Sequence, residues 1–237
     1  MKHYKISLIL FVAFFCSRVQ AEEFPKQLLK KYLPKNPVIV EAGGYNGADT
    51  LKMAKIWPQG TIYSFEPVPR LFGILQGTTY KCPNVTCIKK ALSDRNGTFP
   101  MYVSKGGDAS SSLLEPDKHL KEFTHVTFPY KINVEAITLD TWAVQNNIDH
   151  IDFLWFDLQG MEPMVLKASP IMLKTVKAIY AEVSYCELYK NAPLYPEFKV
   201  WMEQQGFTVV AEVHHHVTFG DALFVRNEII KSLLAKK

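Results

Sequence analysis

A glycine-containing turn near the start of the chain is suited to binding a ligand. The apolar run Val38–Val40 leads into Glu41 and then into glycines at positions 43, 44 and 47. Glycine lets the main chain approach a ligand closely, and the helical pattern that begins at residue 48 offers free N–H groups in its first turn. Glu66 ends the next apolar run, 23 residues after Gly43, where a carboxylate can accept hydrogen bonds from two ribose hydroxyls. The spacing predicts a nucleoside site.

The kind of nucleoside follows from what this turn lacks. Tyr45 stands where the G-x-G-x-x-G pattern of nicotinamide binding needs its second glycine, and the chain has no G-K-[ST] phosphate loop. The pattern that remains, E-x-G-x-x-x-G with a distant acid, suits a nucleoside without a pyrophosphate. S-adenosylmethionine has this character, so we predict a methyl-donor site. A tight strand-to-helix turn without a ligand is the alternative.

Two acidic residues further along the chain are candidates for the transfer chemistry. Methyl transfer needs an acceptor that is held in line and can lose its proton. Asp157 follows the nearly apolar run Ile151–Phe156, so it should end a buried strand, where desolvation raises a carboxyl pKa. Glu182 lies in a strand-like segment and can converge with Asp157 on a hydroxyl or a cation. Glu162, at a helix start, is interpreted as a helix-dipole acid, and the alternative role of Asp157 is a hydrogen bond to the cofactor or backbone.

The histidines and cysteines do not form a recognisable metal-binding pattern. Neighbouring rings of His214–His216 would point to opposite faces of a strand, and we interpret this tripeptide as a solvated strand end. His125 and His150 are single histidines in or beside loops, and nothing distinguishes either as a base. The chain lacks C-x-x-C and paired Cys/His spacings, so no metal ligand is assigned. Cys82 and Cys87 are interpreted as ordinary thiols, although an oxidising compartment would let them pair.

The elements that must position these residues alternate between strand and helix. Apolar runs start at residues 38, 61, 85, 151 and 176, the third of them spanning Val85–Leu92, and helical spacing follows most of them. Residues 93–133 are less regular, with room for short strands. The last two strands, Phe207–Val213 and Ala222–Val225, have no helix between them and predict an antiparallel hairpin at one edge. The pattern predicts an α/β fold with an open, mostly parallel sheet and an antiparallel edge strand.

Five segments of the chain resemble the FkbM-type S-adenosylmethionine-dependent methyltransferases. They span about residues 38–225 and read VIVEAGGYNGADT, IYSFEPVP, KKALSD, IDFLWFDLQGMEPMVLKAS, and YAEVSYCELY with FGDALFV. Their order and spacing together carry the resemblance. It implies the class I methyltransferase (Rossmann-like) fold, with a seven-stranded sheet and a reversed last strand, and it implies O-methylation of a sugar or glycan hydroxyl.

The resemblance also implies roles for individual residues. Asp157 would face the reactive methyl group, and the serine-rich loop 110–112 would lie over the site. Trp155 departs from the family, in which many members have lysine, and Met161 replaces a residue that is usually small. The residues implied to hold S-adenosylmethionine are Glu41, Gly43 and Gly47 at its methionine end, Glu66 at the ribose, and Ser93 and Asp94, at the end of the third strand, near the adenine.

The first 21 residues are predicted to be a signal peptide. Two lysines precede the apolar run Ile6–Cys16, and Val19 and Ala21 put small residues at the −3 and −1 positions of a cleavage site. The run is shorter than the ~20 residues of a spanning helix, so no stable membrane span is expected after cleavage. Export to the periplasm or the medium is expected, and anchoring by an uncleaved signal is the alternative. Residues 22–37 would be a lead-in and 38–237 the methyltransferase domain.

Composition limits the classes of partner. Residues 1–21 hold three of the 27 basic residues and none of the 23 acidic ones, so most of the net charge of +4 belongs to that segment. No dense Lys/Arg run follows, and nucleic acid is not an expected partner. A hydrophobic fraction of 48% supports a packed core. The expected acceptor is a small molecule or glycan. The alternatives are an N- or carboxyl-methyltransferase and a non-catalytic domain that binds a nucleoside or a partner.

Overall fold

A seven-stranded sheet forms the centre of the structure, a computed structural model that describes residues 26–235. A 3-10 helix, Lys26–Lys31, precedes the sheet. The strands are β1 (Val38–Ala42), β2 (Thr61–Phe65), β3 (Val85–Ile88), β4 (Ala91–Leu92), β5 (Gly97–Lys105), β6 (Thr127–Ile137), β7 (Phe153–Phe156), β8 (Ala178–Ser184), β9 (Phe207–His214) and β10 (Phe219–Arg226). The α-helices are α1 (Ala48–Ile56), α2 (Pro69–Thr79), α3 (His119–Glu122), α4 (Leu139–Gln145), α5 (Glu162–Lys167), α6 (Pro170–Leu173), α7 (Tyr195–Gln204) and α8 (Asn227–Leu234).

The strand order confirms the predicted α/β fold. The central sheet runs β3-β2-β1-β7-β8-β10-β9, and β10 is antiparallel to both of its neighbours. The expected antiparallel hairpin is therefore β9–β10, and β10 is the reversed strand that the resemblance implied. Because β1, β2, β7 and β8 are parallel, their carboxyl ends meet at one edge of the sheet, where open α/β folds bind ligands.

Apolar side chains cover both faces of this sheet. Val40 and Phe156 point into a core that also contains residues of α4, α5 and α7. Ile39 and Phe153 point to the opposite face, where the 3-10 helix and α1 pack. Every residue of β7 is buried, which is why the sequence around it is nearly continuous in apolar residues.

The third predicted strand was wrong in its extent. It stops at Ile88, and β4 pairs instead with β6 in a separate sheet of order β4-β6-β5. The irregular region after residue 93 contains a long antiparallel hairpin, β5–β6, rather than short strands. Most of its side chains are exposed or half-buried, with Met101 and Val134 among the few that are buried, so it lacks the apolar alternation that identifies a strand.

The predicted signal peptide lies outside the described residues. No helix within residues 26–235 is both long and apolar enough to cross a membrane. Cys82, Cys87 and Cys186 are free thiols, and the Cys87 sulfur lies 3.3 Å from the hydroxyl of Thr79.

Candidate active site

The turn between β1 and α1 packs against the end of β7. Gly43 has a φ of +90°, and a β-carbon at this position would lie 2.1 Å from the main-chain oxygen of Asp157. Gly47 has a φ of +77° and caps the amino end of α1. Side chains rarely adopt such values, so both positions favour glycine. The predicted glycine turn therefore touches the strand end that carries Asp157.

Glu41 is buried at the carboxyl end of β1. Its Oε2 accepts hydrogen bonds from the hydroxyls of Thr50 in α1 and Ser64 in β2. Burial raises the pKa of Glu41 to about 7, and the two hydroxyl donors oppose that rise. The side chain thus joins two strands and a helix where the glycine turn begins.

Glu66 lies at the carboxyl end of β2 and is also buried. Its Oε2 accepts a hydrogen bond of 2.9 Å from the main-chain N–H of Tyr45, and its Oε1 accepts one of 2.8 Å from that of Val68. Burial raises the pKa of Glu66 to about 7. Each carboxylate oxygen keeps a second lone pair, so Glu66 can still accept hydrogen bonds from a ligand.

A pocket of about 850 Å³, its open mouth included, lies at this edge of the sheet; we call it the first pocket. Its wall combines Glu41, Gly43 and Glu66 with the apolar side chains of Leu71, Leu92 and Met101. Such a wall fits S-adenosylmethionine, because it offers acids to the ribose and amino groups, a close main-chain approach, and an apolar surface for the adenine. Ser111 and Ser112, from the loop that the resemblance put over the site, also line it.

Ser93 and Asp94 occupy a different position from the other predicted cofactor residues. They follow β4 in the small sheet, where the main-chain N–H of Ser93 donates to the carbonyl of Ile137. The Ser93 hydroxyl donates a 3.1 Å hydrogen bond to Asp94. Leu92, the residue before this pair, lines the first pocket, but Ser93 and Asp94 are not among the described residues that line it. Their contact with adenine stays a prediction.

Asp157 is one of three carboxyl groups that lie close together. Oxygen atoms of Asp157, Glu162 and Glu182 all lie within 4.8 Å of one another. The side-chain amide of Gln159 donates hydrogen bonds of 2.7 Å to both Asp157 and Glu182. Burial raises the pKa of Asp157 to about 6 and that of Glu162 to about 8, and it holds the pKa of Glu182 well above its usual range. The structure therefore brings together the two acids that the sequence put forward for catalysis.

The three carboxyl groups have different surroundings. Glu162 accepts hydrogen bonds from the main-chain N–H groups of Leu158 and Gly160, so it holds the turn between β7 and α5. Asp157 and Glu182 share Gln159. Three converging carboxylates can in principle hold a divalent cation, but here the Gln159 amide already binds two of them. The sequence assigned no metal ligand and left the need for a metal open.

A second pocket, of about 470 Å³ with its mouth included, adjoins the first. Asp49, Trp155 and Asp157 line both pockets. The remaining residues of the second pocket are Phe156, Tyr180, His215 and Asp221. Trp155 stacks on Tyr180 with 4.2 Å between ring centroids.

Sequence reasoning missed the polar residues of this second pocket. Interpreting His214–His216 as a solvated strand end was wrong for His215, which is 22% exposed and has its Nε2 2.6 Å from Asp221. Gln159 was not singled out either, although it lies two residues after Asp157. A weak signal existed for His215, because alternation along a strand separates its ring from those of its neighbours. No feature of the sequence around Asp221 indicated a functional role for it.

The chain is similar in sequence to known methyltransferases. The model of the methyltransferase FkbM domain matches residues 41–209. The 2-O-methyltransferase NoeI of Sinorhizobium fredii is 32% identical over 172 residues, which cover 70% of this chain and 71% of NoeI. Methyltransferase sdnD of Sordaria araneosa is 24% identical over 226 residues, covering 83% of this chain and 85% of sdnD.

Solved structures share the fold. The Methanococcus jannaschii fibrillarin pre-rRNA processing protein superposes with a TM-score of 0.51 at 14% identity, covering 83% of this chain and 69% of that one. An rRNA methylase from Streptococcus thermophilus gives a TM-score of 0.51 at 14% identity, covering 89% and 99%. Identities this low support a common architecture and leave the substrate open.

Proposed function

Because the chain belongs to the FkbM methyltransferase family, we propose that this S-adenosylmethionine-dependent methyltransferase acts on a hydroxyl of a sugar or glycan. The similarity to NoeI, a 2-O-methyltransferase, supports hydroxyl oxygen as the acceptor atom. The site adds a chemical argument, since a hydroxyl needs a nearby base in order to become a good nucleophile. Asp157 is such a group.

The position of Asp157 is the observation that carries the proposal. Asp157 lines both pockets, so a ligand in either one can contact this residue. S-adenosylmethionine supplies an electrophilic methyl group when it is bound. Asp157 then accepts the hydrogen bond of the acceptor hydroxyl and takes up its proton. With a pKa of about 6, Asp157 is ionised at neutral pH yet more basic than an ordinary aspartate.

Glu182 and Gln159 keep Asp157 in place. Burial and the neighbouring Asp157 carboxylate raise the pKa of Glu182 well above its usual range, which favours the neutral form of this residue beside Asp157. Gln159 has a φ of +52°, a conformation that costs about 1–3 kcal/mol for a residue other than glycine. The hydroxyl of Tyr189 lies 2.8 Å from the side-chain oxygen of Gln159 and 2.8 Å from the carbonyl of Ser110, and these two acceptors share its one proton. These contacts link the catalytic carboxylate to the serine loop at the first pocket.

We assign the cofactor contacts as the sequence predicted them. The geometry of the glycine turn supports the assignments at the methionine end, the lone pairs that Glu66 retains support its role at the ribose, and the adenine contacts rest on the resemblance. The residues are Glu41, Gly43 and Gly47 for the methionine end, Glu66 for the ribose, and Ser93 and Asp94 for the adenine.

A transfer assay tests the proposal. The purified protein is incubated with S-adenosylmethionine and a panel of methyl glycosides of neutral hexoses and 6-deoxyhexoses. NMR of the product then identifies the methylated atom. The expected result is a new methyl ether on a sugar carbon, lost in Asp157→Asn and kept in Asp149→Asn, whose carboxylate is exposed. Methylation of amine or carboxylate acceptors, with none of any glycoside, would overturn the proposal.

A further inference from the structure

The second pocket contains the hydrogen-bonded pair His215 and Asp221, which has no part in the proposed proton transfer to Asp157. Oδ2 of Asp221 accepts a 2.6 Å hydrogen bond from the hydroxyl of Tyr180, and Nε2 of His215 lies 2.6 Å from the same oxygen. A carboxylate only accepts hydrogen bonds, so Nε2 of His215 carries a proton in this contact, and the hydrogen bond to Asp221 raises the pKa of His215. The other ring nitrogen, Nδ1, can therefore bind a hydroxyl, as an acceptor when the ring is neutral and as a donor when the ring is protonated.

The position of this pair is set by strand register. Asp221 lies opposite Glu182 in the antiparallel β8–β10 pair, and His215 follows the last residue of β9. Asp157 lines the same pocket. A sugar ring bound in this pocket can therefore contact both Asp157 and His215.

The charges around the second pocket favour an uncharged ligand. Its wall carries the carboxyl groups of Asp49, Asp157 and Asp221. The ammonium groups of Lys26 and Lys52 lie 2.7 Å and 3.8 Å from Asp49 and offset its charge. His215 faces Asp221, and it is the only Lys, Arg or His among residues 26–235 that lines the pocket. A carboxylate or phosphate on the acceptor would therefore be repelled by Asp157 and Asp221.

We propose that the second pocket is the acceptor site, that it selects an uncharged sugar ring, and that His215, held by Asp221, binds a second hydroxyl of that sugar. The inference rests on the proposed sugar methylation and adds to it the binding residues and the charge of the substrate. His215 is an acceptor-binding residue in this scheme, whereas Asp157 takes the proton.

Steady-state kinetics with a glycoside methylated in the transfer assay provide the first test. His215→Gln should raise the KM for the glycoside about tenfold, as expected for the loss of one hydrogen bond to a polarised group. The kcat and the affinity for S-adenosylhomocysteine should change little. His214→Gln is the matched control, because His214 is the exposed neighbour whose ring stacks on Tyr185 outside the pocket. Equal KM values for the two variants would overturn the inference.

Acceptor charge provides the second test. Wild-type protein should methylate a methyl glycoside much better than the uronic acid of the same sugar, and Asp221→Asn should narrow that difference because it removes one repelling charge. Asp149→Asn, at an exposed carboxylate, should leave the difference unchanged. Equal use of the two acceptors by the wild type would contradict the proposed selection.

A binding measurement separates failure of this inference from failure of the proposed function. Protein labelled with 3-fluorotyrosine and saturated with S-adenosylhomocysteine is titrated with the methyl glycosides, and loss of a signal in Tyr180→Phe identifies the Tyr180 resonance. A shift confined to Tyr180 supports the acceptor site even if no sugar is methylated, a result that would overturn only the proposed function. If a glycoside is methylated but does not shift the Tyr180 resonance, the acceptor-site inference is overturned and the proposed function stands.

Discussion

Gly43 packs so closely on Asp157 that a β-carbon at position 43 would lie 2.1 Å from the Asp157 carbonyl oxygen. This contact fixes the turn of the cofactor pocket against the strand end that carries the proposed base. The distance between the glycine turn and Asp157 is therefore set by a contact between two main-chain segments. Such a contact is more rigid than one between side chains.

Gly43→Ala should destabilise the protein strongly. The substitution adds a clash with main chain to an unfavourable φ of +90°, and we expect a loss of about 3 kcal/mol or more in the free energy of unfolding. Gly73→Ala is the matched control, because it lies within α2 and its β-carbon would meet nothing within 4 Å. That variant should gain about 0.5–1 kcal/mol. Urea denaturation measures both, and similar stabilities for the two variants would contradict the tight contact.

Glu66→Ala should weaken cofactor binding. Removing the proposed ribose contacts should raise the Kd for S-adenosylhomocysteine about 10- to 100-fold, the usual cost of losing hydrogen bonds to a charged group. Isothermal titration calorimetry measures the change. Glu197→Ala serves as the control, because that residue is exposed in the first turn of α7 and does not line the first pocket. An unchanged affinity in Glu66→Ala would refute the assignment of Glu66.

Asp157→Asn should abolish most turnover and should remove a limb of the pH profile. The asparagine oxygen can still accept the hydrogen bond from Gln159, but it cannot take a proton, so we expect kcat to fall about 10²- to 10⁴-fold. In the wild type, kcat/KM should decrease as the pH falls through about 6, because Asp157 must be ionised to act as a base. Residual activity in the variant should lack this decrease. Wild-type activity that stays constant down to pH 5 would show that Asp157 is not the base.

Glu41→Gln should make stability less dependent on pH. The folded protein raises the pKa of Glu41 to about 7 from a usual value of 4.5, so this group favours the folded state below pH 4.5 and that contribution is lost as the pH rises through 7. Without added cofactor, the wild type should lose unfolding free energy between pH 5 and pH 8, and Glu41→Gln should lose less. Thr50 and Ser64 both donate to the same oxygen of Glu41, so glutamine can keep both bonds. Equal slopes for the wild type and the variant would contradict this prediction.

We propose that residues 1–21 act as an export signal. Expression of the full chain with its own amino terminus, followed by amino-terminal sequencing of the purified protein, should give a first residue of Glu22. An intact Met1 would contradict cleavage after Ala21. Because S-adenosylmethionine is a cytosolic metabolite, a cleaved product found outside the cytosol would also require a source of cofactor in that compartment.

The geometry of the glycine turn was predictable because the residues that determine it are close together in the sequence. Glu41, Gly43 and Gly47 lie within seven residues, and each belongs to a strand end or a helix start that neighbouring residues define. Glu66 follows by one strand-helix-strand step, and parallel strands bring their ends to the same edge of the sheet. The apolar run before Asp157 identified a strand buried on both faces, which β7 is.

The hairpin β5–β6 and the short strand β4 were not predictable to the same degree. Their side chains are largely exposed, and alternation of apolar and polar residues weakens when neither face is well buried. The end of the third strand was misplaced for this reason, and with it the structural setting of Ser93 and Asp94.

The acceptor side depends on contacts between residues that are distant in the chain. Local patterns identified Asp157 and Glu182 as separate candidates, and they were enough to predict the fold class and the cofactor. Only the packing of β7 on β8, and of β8 on β10, brings those acids within reach of Gln159 and puts Asp221 opposite Glu182. A shift of one residue in that register would turn Asp221 to the opposite face of the sheet. The placement of His215 and Asp221 at the second pocket depends on the pairing of strands that are distant in the chain. No single segment of the sequence determines it.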